Sequence, residues 1–154
     1  MKKFKKILFP VDLSEVSPKI APWALGLART FEADVHVVYV ARLFEHFTTA
    51  YVSSESIENF EKELIEGAER ALSDFVKRHF ENRGFDRCQA KVVVGDAADE
   101  ILEYIKSEQI DMVVMGTHGR KGLERVLFGS VADRVVKMSS APVFTINPYR
   151  VAQD

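Results

Sequence analysis

One cysteine, Cys88, cannot close an internal disulfide, so the fold must be held by packing, hydrogen bonds and whatever the chain binds. No apolar run comes near the roughly 20 residues that a membrane-spanning helix needs. The basic start Lys2, Lys3, Lys5 and Lys6 leads only into Ile7, Leu8 and Phe9 before Pro10 and Asp12, too little for the core of a secretion signal. Charge is nearly balanced, 21 basic against 23 acidic side chains for a formal net charge of -2, which argues against a nucleic-acid or acidic-membrane partner. These absences predict a cytoplasmic protein with neither partner. Linkers, internal repeats and low-complexity stretches are missing too, so the 154 residues read as one domain over 1–148 with a C-terminal tail at 149–154, frayed from Val151 onward.

What the chain does have is alternation. Ile7, Leu8 and Phe9 form an unbroken apolar run, as expected of a strand buried on both faces of a parallel sheet. Ser14 or Ser17 can cap the next helix, whose apolar stripe is Ile20, Trp23, Ala24, Leu27, Ala28 and Phe31; Pro18 suits its first turn and Pro22 implies a later start or irregular early turns. Residues 33–41 make a second strand, and Arg42 to Ser54 a loop carrying Phe44, His46, Phe47 and Tyr51. A long helix follows with Ile57, Phe60, Leu64, Ala68, Leu72, Phe75 and His79 on one stripe, closing near Gly84. Cys88 to Val94 is the third strand, with a helix after Gly95-Asp96 on Ala98, Ile101, Leu102 and Ile105, capped by Asp96 or Asp99. Met112 to Met115, a helix from Ser130 to Met138 facing inward with Val131, Val135 and Met138, and a strand from Pro142 to Asn147 complete the pattern. Five such alternations predict a three-layer α/β/α sandwich with a five-stranded parallel sheet of order 3-2-1-4-5, a Rossmann-like arrangement.

In an open sheet of that order the ligand crevice lies beyond the C-terminal strand ends, where strand order reverses between strands one and four. Pro10, Val11 and Asp12 leave strand one there, Val40 leaves strand two, and Met115 and Gly116 leave strand four. The last of these opens the most informative stretch: Gly116, two residues, Gly119, nine residues, then Gly129-Ser130 at a helix start. Free backbone amides and the positive end of a helix dipole suit an anion, most simply a phosphate. Gly116 and Gly119 let the loop turn and expose its amides, Gly129 clears the space under the phosphates, and Ser130 adds a hydroxyl to the amides of Val131 and Ala132. Across the crevice Asp12 can accept from ribose hydroxyls or help hold a divalent ion, or else serve only as a cap before the helix. The backbone of Val40 can meet a base edge, with Val11, Val40 and Met115 around the ring. Arg120, Lys121 and Arg125 either reach the last phosphate or stay solvated.

Lys6-Ile-Leu-Phe-Pro-Val-Asp-Leu-Ser14, Val38-Tyr-Val40, Gly95-Asp96-Ala97, and Met115-Gly-Thr-His-Gly-Arg-Lys-Gly with Gly129-Ser130 resemble the universal stress protein family over nearly the whole chain. The intact glycine pattern is similar to that of the family's ATP-binding branch. The resemblance implies Pro10, Val11, Asp12, Val40 and Met115 around adenosine, and Gly116, Gly119, Gly129, Ser130 and Val131 at the phosphates, with ATP as ligand; the divalent ion that Asp12 can help hold against the phosphates would be Mg2+ or Mn2+. The resemblance also implies a homodimer through strand five, which the exposed apolar edge from Pro142 to Asn147 would invite on its own.

No Gly-x-x-x-x-Gly-Lys-Ser/Thr loop, no partner aspartate for magnesium and no evident base for activating water are present, so the expectation is a nucleotide-dependent stress-response sensor or switch, at most a slow ATPase. Two other readings stay open, a nucleotide or phosphoester hydrolase using the same loop and a nucleotide-independent dimer acting by protein contacts. A phospho-receiver domain fits poorly, since Asp12 stands as a single acid and Asn147 follows strand five. His36, His46, His79 and His118 show no metal-ligand spacing, His118 reads as solvent-facing, and Cys88 as a residue packed at a strand start.

Overall fold

The computed structural model describes residues 2–43, 53–119 and 128–152. Their elements are β1 (Lys6–Val11), α1 (Ser17–Phe31), β2 (Asp34–Ala41), α2 (Ser54–His79), β3 (Cys88–Val94), α3 (Ala97–Ser107), β4 (Met112–Gly116), α4 (Ser130–Met138) and β5 (Val143–Ile146). All pairings are parallel and the strand order is β3-β2-β1-β4-β5, as the sequence predicts. The sheet separates two cores. Ile7, Phe9 and Val11 face α1 and α2, while Leu8 faces α3 and α4. Successive residues of β1 are thus buried on opposite sides, the physical reason for its unbroken apolar run. Phe9 touches Phe75 and Phe80 at 6.1 and 6.3 Å between ring centres and anchors the first core.

Pro10 does not end β1, which runs on through Val11 and keeps register with β2 as far as Tyr39. Toward β4, however, β1 pairs only through Ile7–Met112 and Leu8–Val113. Beyond Leu8 these strands part, and a crevice opens at the point of strand-order reversal.

Three helices depart from their expected faces. Helix α1 begins at Ser17 despite Pro22, and its buried side is Ser17, Ile20, Ala21, Ala24, Leu25 and Ala28. The small alanines let the helix approach the sheet closely, whereas Trp23 lies well round the helix, 40% exposed and stacked on Phe144. In α2 only Leu72, Phe75 and Val76 are buried, and Phe60 and Leu64 are 47% and 41% exposed. A helix of 26 residues spans about 39 Å, against roughly 23 Å for a seven-residue strand, so its first half overruns the sheet. In α4 the buried residues are Ala132 and Val135, with Met138 62% exposed at the last turn.

Helix ends follow local chemistry. Ser53 caps α2 by accepting from the Ser56 amide, Asp96 caps α3 by accepting from the Asp99 amide, and Gly84 at φ 75° closes the turn after α2. Of the two serines expected to cap α1, neither does so; Val16 precedes the helix without a side-chain cap.

Candidate nucleotide site

Beyond the diverging ends of β1 and β4 lies a cavity of about 470 Å3. Its lining brings together Pro10, Val11, Asp12, Val40, Met115, Gly116, Gly119, Gly129, Ser130 and Val131. Arg120, expected beside them, lies outside the described residues, as do Lys121, Arg125 and residues 44–52 of the loop before α2. Apolar surface from Val11, Val38, Val40, Ile101 and Met115 makes one part of the cavity, and the glycine loop with the start of α4 makes another.

Asp12 organises the turn from β1 into α1. Its Oδ1 accepts from the Ser14 amide at 3.0 Å, the Ser14 hydroxyl at 2.7 Å and the Ser17 hydroxyl at 3.0 Å. In return the Ser17 hydroxyl accepts from the Asp12 amide at 3.3 Å, and the Ser14 hydroxyl accepts from the Val16 amide at 3.2 Å. This network holds Leu13 at φ 59°, a left-handed conformation that a branched side chain adopts at a cost of about 1–2 kcal/mol. Asp12 therefore shapes the loop before α1 and caps no amide of the helix itself. Its second carboxylate oxygen, Oδ2, faces Gly119.

None of the three described loop glycines has a left-handed φ, so they are not required for turning as expected, and what a side chain would meet differs from one to the next. At Gly116 a Cβ would stand 3.1 Å from the His118 carbonyl oxygen, and at Gly119 it would stand 2.8 Å from Asp12 Oδ2, closer than real Cβ contacts come. At Gly129 it would make an ordinary 3.4 Å contact with the Thr117 carbonyl, and φ -65°, ψ 159° is open to any residue. Among the described residues nothing demands glycine at 129.

The Gly129 amide donates to the Thr117 carbonyl at 2.7 Å, and the Thr117 amide donates to the Ile146 carbonyl at 2.9 Å, tying the loop's two ends to β5. The first bond inside α4 runs from the Asp133 amide to the Gly129 carbonyl, which leaves the Ser130, Val131 and Ala132 amides at the open end of the helix. Among the described residues no side chain caps α4. Arg134, one turn further on, holds both Asp96, at 3.1 Å, and Asp99, and so fixes α4 against the start of α3. The Asp99 amide and the neighbouring Arg134 guanidinium hold the Asp96 carboxyl below its ordinary range.

Several residues around the site were not legible beforehand. His118 is buried, 7% exposed, with Nδ1 2.7 Å from the Thr117 hydroxyl and its ring edge-on to Tyr149; the expected solvent-facing histidine is replaced by one packed under the C-terminal turn. The serines at two and five residues after Asp12 were the available signal for its anchoring. Outside the site, His36 is buried with Nδ1 2.9 Å from the Tyr104 hydroxyl, and burial holds its pKa below the usual value. Burial pushes the Cys88 thiol up to about 12, so it packs at the strand start without nucleophilic character. Among the described residues no group of three acidic, histidine or cysteine side chains is gathered to hold a metal.

Residues 3–147 match the family model described as the universal stress protein family. The chain is 36% identical over 143 residues to universal stress protein MJ0531 of Methanocaldococcus jannaschii, covering 93% of this chain and 82% of that protein. It is 31% identical over 156 residues to universal stress protein MJ0577 of the same organism, covering 93% and 94%. The solved structure of MJ0577 superposes with a TM-score of 0.74 at 29% identity, over 95% of this chain and 97% of that one. A family protein from Arabidopsis thaliana solved with AMP bound superposes with a TM-score of 0.63 at 22% identity, over 93% and 91%. With its sheet order, its glycine loop and nearly its whole length matched, the chain belongs to the universal stress protein family.

Proposed function

We propose that this protein binds an adenine nucleotide, ATP, in the cavity between β1 and β4, and holds it as a sensor or switch. The observation that carries this reading is the end of α4: three amides, with no side-chain cap among the described residues, and Ser130 lie at the same cavity as Asp12 and the β2 end. Amides and dipole at that point favour the phosphates, with Gly116, Gly119, Gly129, Ser130 and Val131 around them. Pro10, Val11, Val40 and Met115 then surround the adenosine, the Val40 backbone meeting the base edge. The AMP complex of the Arabidopsis relative supports an adenine nucleotide in this fold.

Asp12 stands between the two halves of the ligand. It is the one carboxylate among the described lining residues, so a Mg2+ or Mn2+ ion would take Asp12 as its protein ligand and the phosphate oxygens and water for the rest, which suits a hard cation. Such an ion would neutralise phosphate charge. Slow or absent hydrolysis follows from the missing Walker lysine and from Asp12 Oδ1 already accepting three hydrogens from Ser14 and Ser17. The outer edge of β5 pairs with no strand among the described residues, which supports a homodimer through Pro142 to Asn147.

Protein purified without added nucleotide should release ATP on denaturation, and Gly129→Lys should lower ATP affinity sharply. Equal, tight affinity in both proteins would remove the phosphate-loop assignment. Many turnovers per site would favour the hydrolase reading, and no nucleotide in any preparation or titration the interaction-only reading. A monomer mass by light scattering at micromolar concentration would remove the dimer.

A further inference from the structure

We propose that Tyr149 is a positioning residue for the phosphate loop, acting through His118, so that the C-terminal turn and the bound nucleotide are coupled; this rests on the nucleotide-binding reading above. The tail is not frayed where it follows β5. Asn147 Oδ1 accepts from the Tyr149 amide at 3.0 Å, and its carbonyl accepts from the Arg150 and Val151 amides at 3.2 and 3.1 Å, which closes a tight turn. Val151 packs against the core on the α1 and α2 side and fixes the far end of that turn.

The ring of Tyr149 is held between two elements of the site's wall. Its centre lies 5.6 Å from the His118 ring at an interplanar angle of 69°, and the Lys19 ammonium of α1 lies 5.5 Å from it. An edge-on aromatic pair and a cation over a ring both fix position as well as adding attraction. His118 immediately precedes Gly119, lines the cavity, and is pinned on its other side to the Thr117 hydroxyl. Moving its ring moves the backbone whose carbonyl lies against Gly116. The turn therefore buttresses the loop from behind, while the ligand meets it from the front. By reciprocity, whatever the turn contributes to ATP affinity, ATP returns as order in the turn.

The test is ATP titration by calorimetry of wild type, Tyr149→Ala, Tyr149→Phe and Phe4→Ala, with amide exchange measured on the nucleotide-free proteins. Phe4 contacts Phe31 at 5.0 Å before β1, at the end of the sheet away from the cavity, so its loss reports on stability alone. Tyr149→Ala should bind ATP on the order of tenfold more weakly, Tyr149→Phe within about twofold of wild type, and Phe4→Ala like wild type, a coupling of ordinary size. Exchange of the Thr117 and Gly129 amides should be faster in Tyr149→Ala only. Tyr149→Ala binding as wild type does, or losing no more than Phe4→Ala, would overturn the proposal. Should wild type bind no ATP, the nucleotide reading fails, and amide exchange alone decides the role of Tyr149: unchanged Thr117 and Gly129 protection rejects it.

Discussion

The Asp12 carboxylate and the backbone of Gly119 meet so closely that a Cβ on Gly119 would stand 2.8 Å from Oδ2. Asp12 has little freedom to retreat, because Oδ1 is held by the Ser14 amide and by the hydroxyls of Ser14 and Ser17. Gly119→Ala should therefore destabilise the protein by about 1–3 kcal/mol, the usual cost of forcing one extra methyl into a filled space. Urea unfolding of Gly119→Ala in wild-type and Asp12→Ala backgrounds checks this. The cost should shrink once the carboxylate is gone, and equal costs in both backgrounds would show that the two residues do not press on one another.

Gly129 calls for the opposite result. It precedes α4 at the cap position with φ -65° and ψ 159°, and no side chain among the described residues caps the helix. Gly129→Ser should leave stability unchanged or raise it by a few tenths of a kcal/mol, since serine at that position can accept from an amide of the first turn. The same hydroxyl would occupy an amide assigned to the proposed nucleotide and fill the space in front of it, so ATP affinity should fall. Thermal unfolding and calorimetric titration of one preparation separate the two effects. A variant that loses stability, or keeps wild-type affinity, contradicts the division of labour between Gly129 and the other two glycines.

How much of this was readable in advance depends on whether a residue's role is local. The unbroken run Ile7-Leu8-Phe9, the Asp96 cap and the Gly129-Ser130 helix start are decided within a few residues, and strand order then follows from alternation and handedness. The residues lining the crevice follow from strand order in turn. Which face a helix buries is not local. Trp23 fell outside because the alanines of α1 sit against the sheet, and Phe60 because α2 is longer than the strands it covers. The burial of His118 is non-local in the same way, since it depends on Tyr149, which comes from the turn after the domain's last strand. Arg134 likewise matters only once α3 and α4 are neighbours.

Glu32 offers a stability gain with no effect on the site. It ends α1 in the left-handed region at φ 52°, exposed, with its own amide donating to the Ala28 and Arg29 carbonyls. Its carbonyl, which accepts from Arg87, would survive substitution. Glu32→Gly removes a steric cost of about 1–2 kcal/mol and adds part of that back as unfolded-state entropy, for a net gain of about 0.5–1 kcal/mol. The urea midpoint should rise at constant slope, with ATP affinity as in wild type.

His36 sets a pH dependence on the other side of the sheet. Burial lowers its pKa in the folded protein from the ordinary 6.5, and its Nδ1 pairs with the Tyr104 hydroxyl at 2.9 Å. Glu108 and Asp34 pull the other way and Lys6 adds to the lowering, but desolvation is the largest influence. Above about pH 6.5 both folded and unfolded chains carry the neutral ring, so the contribution is constant there. As pH falls below 6.5 the unfolded chain binds the proton first, and stability declines until the folded-state pKa is also passed. His79, lowered by burial and by Arg78 and Arg83, adds a decline of the same sign. His36→Gln keeps a polar partner for Tyr104 without a titrating ring, so melting temperatures from pH 7 to 5 should fall less steeply in that variant than in wild type. An identical slope would mean that His36 is protonated as readily in the fold as out of it, and that the pair with Tyr104 forms at no electrostatic cost.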